Sequence, residues 1–339
     1  MMILSGLLGA NKQWTKEQAN DWQTKQPWVV GCNFLPSTAI NQLEMWQEES
    51  FDVRTIDREL GWAQSIGMNS VRVYLHDLAY ETDPKGFKQR MDKFLQIADR
   101  HKIRPLFVFF DDCWNPHPQL GKQPIPKKGV HNSGWVRSPG DAQRNWPKDM
   151  ERLETYVKDI LNTFKRDRRV YLWDLYNEPG NSGYELKSME LLKKCFEWAW
   201  DVRPSQPVSA GLWYGNNEFN QFQIANSDVI TFHNYNDAKN LQSEISRLVK
   251  LGRPVVCTEW MARQNSSWIK TNLPVFHESK IACFNWGLVS GKSNTIFPWG
   301  SKEGSEEPTP WFHDIFRQDG TPFDATETDL FKKLTARGK

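Results

Sequence analysis

The run Val170-Tyr171-Leu172-Trp173-Asp174-Leu175-Tyr176-Asn177-Glu178-Pro179-Gly180 decides how this chain is read. Its first part is almost continuously apolar and aromatic, the pattern of a strand covered on both faces, as in a parallel sheet. Its last part turns polar, and Pro179-Gly180 ends it. Working outward, seven more short runs of the same kind occur, at 28–34, 70–75, 104–110, 207–210, 229–232, 254–258 and 281–285. Amphipathic stretches lie between them: Val53, Ile56, Leu60, Ala63; Phe87, Met91, Phe94, Leu95, Ala98; Met150, Leu153, Val157, Ile160, Leu161, Phe164; Met189, Leu192, Phe196, Ala199; and Leu241, Ile245, Leu248, Val249. Spacings of three and four residues put each set on one helix face. Eight strand–helix alternations predict an α/β fold, a single-domain (β/α)8 TIM barrel over 28–317. The lead-in 1–27 is expected to pack on the barrel's bottom or side, and 318–339 to form a polar tail. A doubly wound open sheet is the structural alternative, but neither GxGxxG nor GxxxxGK[ST] is present, and no nucleotide or other cofactor is expected.

In a parallel barrel, the strand C-termini build the site. Applied to the 41 acidic residues, that rule leaves few candidates. Glu178 closes the fourth run and Glu259 the seventh; Asp111 and Asp112 close the third; Arg72 lies within the second, and His76-Asp77 closes it. His233-Asn234-Tyr235 closes the sixth run and Trp286 the eighth. Two glutamates at strand ends across a barrel are what acetal cleavage needs: a proton for the leaving oxygen and negative charge near the oxocarbenium-like carbon. Neighbours must hold their two pKa values apart. Arg72 can keep Glu259 ionised, and Tyr235 can donate to it.

The strings Trp173-Asp174-Leu175-Tyr176-Asn177-Glu178-Pro179, His233-Asn234-Tyr235, Thr258-Glu259-Trp260 and Asn285-Trp286-Gly287, in this order and with an Arg on the second strand, resemble the clan A retaining β-glycosidases, most of all glycoside hydrolase family 5. The resemblance implies double displacement on a β-linked polysaccharide or oligosaccharide of the β-glucan, xylan or mannan type. By it, Glu178 matches the acid/base and Glu259 the nucleophile, with carboxyl groups about 5–5.5 Å apart. It further implies that Asn177 binds the sugar 2-hydroxyl, that Arg72 and Tyr235 orient the nucleophile, that His233 contacts the sugar or orients the acid/base, and that Trp286 is the platform under the ring. An exo-acting β-glycosidase or a transglycosylase would carry the same pair. A carbohydrate-binding protein without turnover is the reading of another class. Since polysaccharides lie outside cells, a secreted or periplasmic setting fits, although the short apolar opening 1–10 has no basic start and is no clear export signal.

Where family 5 cellulases commonly carry His after the third strand, this chain has Asp111-Asp112-Cys113-Trp114. The two aspartates are candidates to grip sugar hydroxyls through charge-assisted hydrogen bonds, or, for Asp112, to anchor the loop. Two long connections, 111–147 and 287–310, are rich in Pro, Gly and aromatics and fall on the same face. From them Trp114, His117, His131, Trp135 and Trp146 are expected to wall the substrate cleft, with Trp299 and Trp311 as further candidates. The 17 Trp supply flat apolar faces that suit sugar rings as well as cores.

Composition sets the outer bounds. With 43 Lys+Arg against 41 Asp+Glu, the charge is 43 − 41 = +2, too balanced to hold nucleic acid or an anionic membrane. No run approaches the ~18 apolar residues of a membrane span. Five scattered cysteines without a CxxC pattern predict buried thiols rather than disulfides or structural zinc. No HxH pair closes the first strand and no GxSxG elbow occurs, so neither metal nor serine catalysis is expected.

Overall fold

The computed structural model describes residues 12–213, 215 and 217–336. The apolar opening 1–10 lies outside the described residues. Eight parallel strands, β1 (Val30–Asn33), β2 (Ser70–Tyr74), β3 (Arg104–Asp111), β4 (Leu172–Asn177), β5 (Val208–Ser209), β6 (Ile230–Asn234), β7 (Val255–Trp260) and β8 (Ala282–Trp286), run in the order β5-β4-β3-β2-β1-β8-β7-β6. The two ends meet just past the short β5. Leu212 bridges to Phe232; its N–H donates to the Thr231 carbonyl at 2.9 Å, and its carbonyl accepts from the His233 N–H at 2.8 Å. The barrel is therefore nearly closed, with its thinnest seam between β5 and β6.

Strand alternation sorts the core into two layers. On β3, Leu106 and Val108 point into the barrel with Val29, Leu172, Val256 and Phe284. Phe107, Phe109 and Phe110 point outward to the helices, where Phe107 and Phe109 stack on Trp173. The five helices that periodicity predicts are Val53–Ser65, Pro84–Arg100, Lys148–Phe164, Met189–Val202 and Ala238–Leu248. Each is stopped or started by ordinary means; Asp83 caps Pro84–Arg100 by accepting from the Gly86 N–H, with proline at the first helical position.

Three further helices, Asn217–Asn226, Ile269–Glu278 and Ala325–Thr335, complete the ring. The last corrects the reading of 318–339 as a polar tail. Phe331 is fully buried, and Glu327 forms a buried two-pronged pair with Arg263. The lead-in helix Lys16–Thr24 packs at the N-terminal face, where Trp22 lies against Tyr171 with ring centroids 5.2 Å apart.

Candidate active site

The C-terminal strand ends surround a cavity of about 540 Å³. At its floor, Arg72 projects from β2 with no exposed surface. Its guanidinium donates to Glu259 Oε1 at 2.6 Å, to Asp174 Oδ2 at 2.7 Å, to Asn177 Oδ1 at 2.7 Å and to Asn33 Oδ1 at 2.9 Å. Burial alone would drive the proton off; the surrounding negative charge outweighs it and holds Arg72 well above the usual arginine range. Glu259 also accepts from Tyr74 (2.8 Å, Oε1) and Tyr235 (2.8 Å, Oε2). One cation and two phenols therefore donate to this carboxylate.

Glu178 has different company. Burial raises its pKa, but a hydrogen bond from His233 Nδ1 (2.7 Å, Oε1), the charge of that imidazole, the Cys113 thiol (3.2 Å, Oε2) and the Asn181 amide (2.5 Å, Oε2) pull it below the usual carboxyl range. His233 Nδ1 also lies 3.6 Å from Glu259 Oε2, so the imidazole stands between the two carboxylates. A carboxylate oxygen of each glutamate and a ring nitrogen of His233 lie within 4.8 Å of one another. Backbone irregularity aims these groups. Glu178 sits in the left-handed region at φ 44°, and the β6–β7 register slips between Phe232 and His233, which places His233 opposite Glu259.

Asp111 is in the site but is occupied by the protein. It accepts from Trp135 Nε1 at 2.6 Å, from Asn177 Nδ2 at 2.9 Å and from the Cys113 N–H at 3.0 Å. Burial raises its pKa to about 6 against these donors. It positions Asn177 and Trp135 rather than standing free for sugar.

Asp112 corrects the sugar-gripping expectation and takes the alternative one, that of a loop anchor. Consecutive Phe109 and Phe110 both face the helices, so the alternation slips by one near the end of β3; Asp111 is thereby turned inward, and Asp112, the residue after the strand, points out of the barrel. There it pairs with Arg144 and accepts from Ser188 Oγ at 2.5 Å, the Gly180 N–H at 2.7 Å and Tyr176 OH at 2.8 Å. It ties the third loop to the fourth. Asp112→Ala leaves the largely buried Arg144 without its counter-charge and the Gly180 N–H without a partner, and is expected to destabilise the fold by about 3–5 kcal/mol, read by denaturant unfolding.

Of the aromatics, Trp114, Trp135, His131, Trp286 and Trp299 line the cavity. His117 is exposed away from it, Trp146 packs against the helical core, and Trp311 stacks on Phe323. Trp299 meets Tyr235 edge-on at 5.0 Å. Tyr74, Cys113, Asn181 and Trp213 were not singled out from sequence, yet all but Tyr74 line the cavity and Tyr74 touches Glu259. Two residues after Arg72, Tyr74 shares its inward face, a signal the strand period carries. All five cysteines are free; four are buried and Cys113 alone is half-exposed.

A parallel barrel with two close, differently hydrogen-bonded glutamates at its mouth defines the class of carboxylate-pair barrel proteins. Residues 45–292 match the family described as cellulase (glycosyl hydrolase family 5), and the chain belongs to that family. It is 24% identical over 182 residues to a probable mannan endo-1,4-β-mannosidase F of Aspergillus flavus, a match covering 52% of this chain and 33% of that protein. The chain thus spans about a third of the length of that relative. Among solved structures, it resembles an exo-β-1,4-mannosidase from Opitutaceae bacterium strain TAV5 (TM-score 0.62, 17% identity, 91% of this chain and 59% of that one). It also resembles a family 5 mannosidase from Rhizomucor miehei (TM-score 0.58, 16% identity, 92% and 93%). Among the described residues no helix is long and apolar enough to cross a membrane.

Proposed function

We propose that this protein is a retaining β-glycosidase acting on β-1,4-linked, mannose-containing polysaccharides or oligosaccharides. The observation that carries the reaction is the close pair Glu178–Glu259 with His233 between them. Inverting enzymes need room for a water, with carboxyl groups ~6.5–9.5 Å apart; here oxygens of the pair lie within 4.8 Å, which suits direct attack by one of them. Glu259, held among Arg72, Tyr74 and Tyr235, is the nucleophile that bonds to the anomeric carbon as the glycosidic bond breaks. Glu178 gives its proton to the leaving oxygen, then takes one from the water that hydrolyses the glycosyl-enzyme. Its three donors hold it ionised in the free site. An arriving sugar excludes water and adds to the desolvation that already pushes this carboxyl up, so the bound complex favours the protonated form.

Asn177, placed by Arg72 and Asp111, serves the 2-hydroxyl. Trp286 supplies the apolar face beneath the ring, and Trp114 and Trp299 the outer walls. The sugar assignment is supported by the three relatives above, all mannan- or mannoside-directed by their descriptions.

The test is sugar release from β-mannan, β-glucan, xylan and the matching aryl β-glycosides, with the first-formed anomer followed by NMR. Hydrolysis of the mannosides with β-configured product formed first is expected. An α-configured first product would eliminate double displacement, and exclusive cleavage of glucan or xylan would eliminate the mannose assignment.

A further inference from the structure

We infer that the enzyme works from the non-reducing chain end, releasing one sugar at a time; this rests on the double-displacement reading above. That chemistry orients any substrate in the cavity. The leaving oxygen must face Glu178, so the departing chain lies on that side, where Asn181, Ser182 and Trp213 form the wall. The opposite edge of the sugar, which carries the hydroxyl that would join a preceding unit, then points toward Trp286, Trp135, Asn132 and His131.

At that edge the cavity is shut by a seam between the loops after β3 and β8. The Asn132 N–H donates to the Ser293 carbonyl at 2.8 Å, the His131 N–H to Ser301 Oγ at 3.0 Å, and the Gly304 N–H to the Lys128 carbonyl at 2.9 Å. Asn294 Nδ2 donates to the Lys127 carbonyl at 2.9 Å, and His131 Nδ1 meets the Phe297 carbonyl at 2.7 Å. Burial holds the His131 pKa down at about 4, so near neutrality the ring is uncharged and Nδ1–H is the donor. The two backbones close without space between them: at Gly129 (φ 76°), an added Cβ would stand 2.7 Å from Ser305 N and O. His131 and Asn132 are themselves buried, so this is a wall and not a flap resting on the surface. The buried Asn132 Oδ1 has no hydrogen-bond partner, and a terminal sugar hydroxyl would satisfy it after a small side-chain turn. Beyond Asn132, Trp135 and Trp286 the structure leaves a cavity of only about 20 Å³, space for a water and not for a second sugar, whereas the Glu178 side ends in polar groups and an indole.

The deciding experiment follows β-1,4-mannopentaose labelled at its reducing end through the first few per cent of reaction. Labelled tetrasaccharide with equimolar free mannose is expected, then trisaccharide in sequence. Labelled di- and trisaccharide from the outset, without free mannose, would overturn the inference while leaving the glycosidase reading intact. No cleavage of any β-1,4-linked oligosaccharide would instead overturn that reading, and the inference with it. If another sugar is the substrate, its labelled pentamer gives the same decision. Gly129→Val, which forces the seam apart, is expected to raise the share of internal cuts about tenfold. Its aryl β-glycoside turnover reports that the barrel still folds. Retained turnover with an unchanged cutting pattern would show that the seam does not enforce chain-end action.

Discussion

Replacement of Glu259 by alanine is expected to lower kcat roughly 10⁴–10⁶-fold, the scale on which a covalent nucleophile and its partners act as a unit. Glu259 is removed without undoing the floor beneath it, since Arg72 retains Asp174, Asn177 and Asn33. The space vacated lies under the face of the sugar opposite the leaving group. Azide entering that space attacks the anomeric carbon from below, so the rescued product is the α-glycosyl azide. Glu178→Ala opens the other face. The glycosyl-enzyme still forms from an aryl glycoside whose leaving group needs no proton, and azide then attacks from above to give the β-glycosyl azide. Opposite azides from the two variants would establish both roles by product identity. The same azide from both, or residual activity in Glu259→Ala within tenfold of wild type, would reverse the assignment.

Arg72→Met should be nearly as damaging, for a different reason. The guanidinium is the shared counter-charge of two buried carboxylates, Glu259 and Asp174, and it also fixes the Asn177 amide. Burial already raises the Asp174 pKa, opposed chiefly by Arg72. Methionine fills much of the volume but leaves both acids without a cation, which costs about 3–5 kcal/mol for a broken buried pair. Turnover is expected to fall a further ~10²–10³-fold in the folded fraction, as when a preorganised donor is lost. Arg72→Lys keeps charge but one point of contact, and should recover stability more than activity. A variant as stable as wild type would mean the floor is held by something other than this ion pair.

The barrel was legible because its strands are covered on both faces, so each reads as an apolar run that turns polar where it meets the cavity. That boundary picks out Glu178, Glu259, His233, Tyr235 and Trp286 without any structure. The period of two within a strand was the signal left unused. It pairs Tyr74 with Arg72 on the inward face, but it does not assign Asp111 and Asp112, because the consecutive outward Phe109 and Phe110 shift the phase just before them. For three of the helices that periodicity did not predict there are physical reasons. Ile269–Glu278 is short and contains Pro274; Asn217–Asn226 is mostly polar with scattered Phe; Ala325–Thr335 commits a single aromatic, Phe331, to the core. Contacts such as Cys113–Glu178 and the seam between two loops join residues far apart in the chain, where no local pattern reaches.

Arg263 links the last helix to the cavity wall, a connection that the helix's distance from the cavity hides. Besides gripping Glu327, its guanidinium donates to the carbonyls of Trp311, His313 and Asp314, and so anchors the end of the loop that carries Trp299. One buried side chain thus ties the pocket wall to the outer ring of the barrel, beside the seam that ties it to the third loop. A chain cut before Ala325 would retain both glutamates and every strand but would leave the buried Arg263 guanidinium without the carboxylate of Glu327. For this architecture, the boundary of the smallest working unit lies at the end of the final helix, well past the last strand.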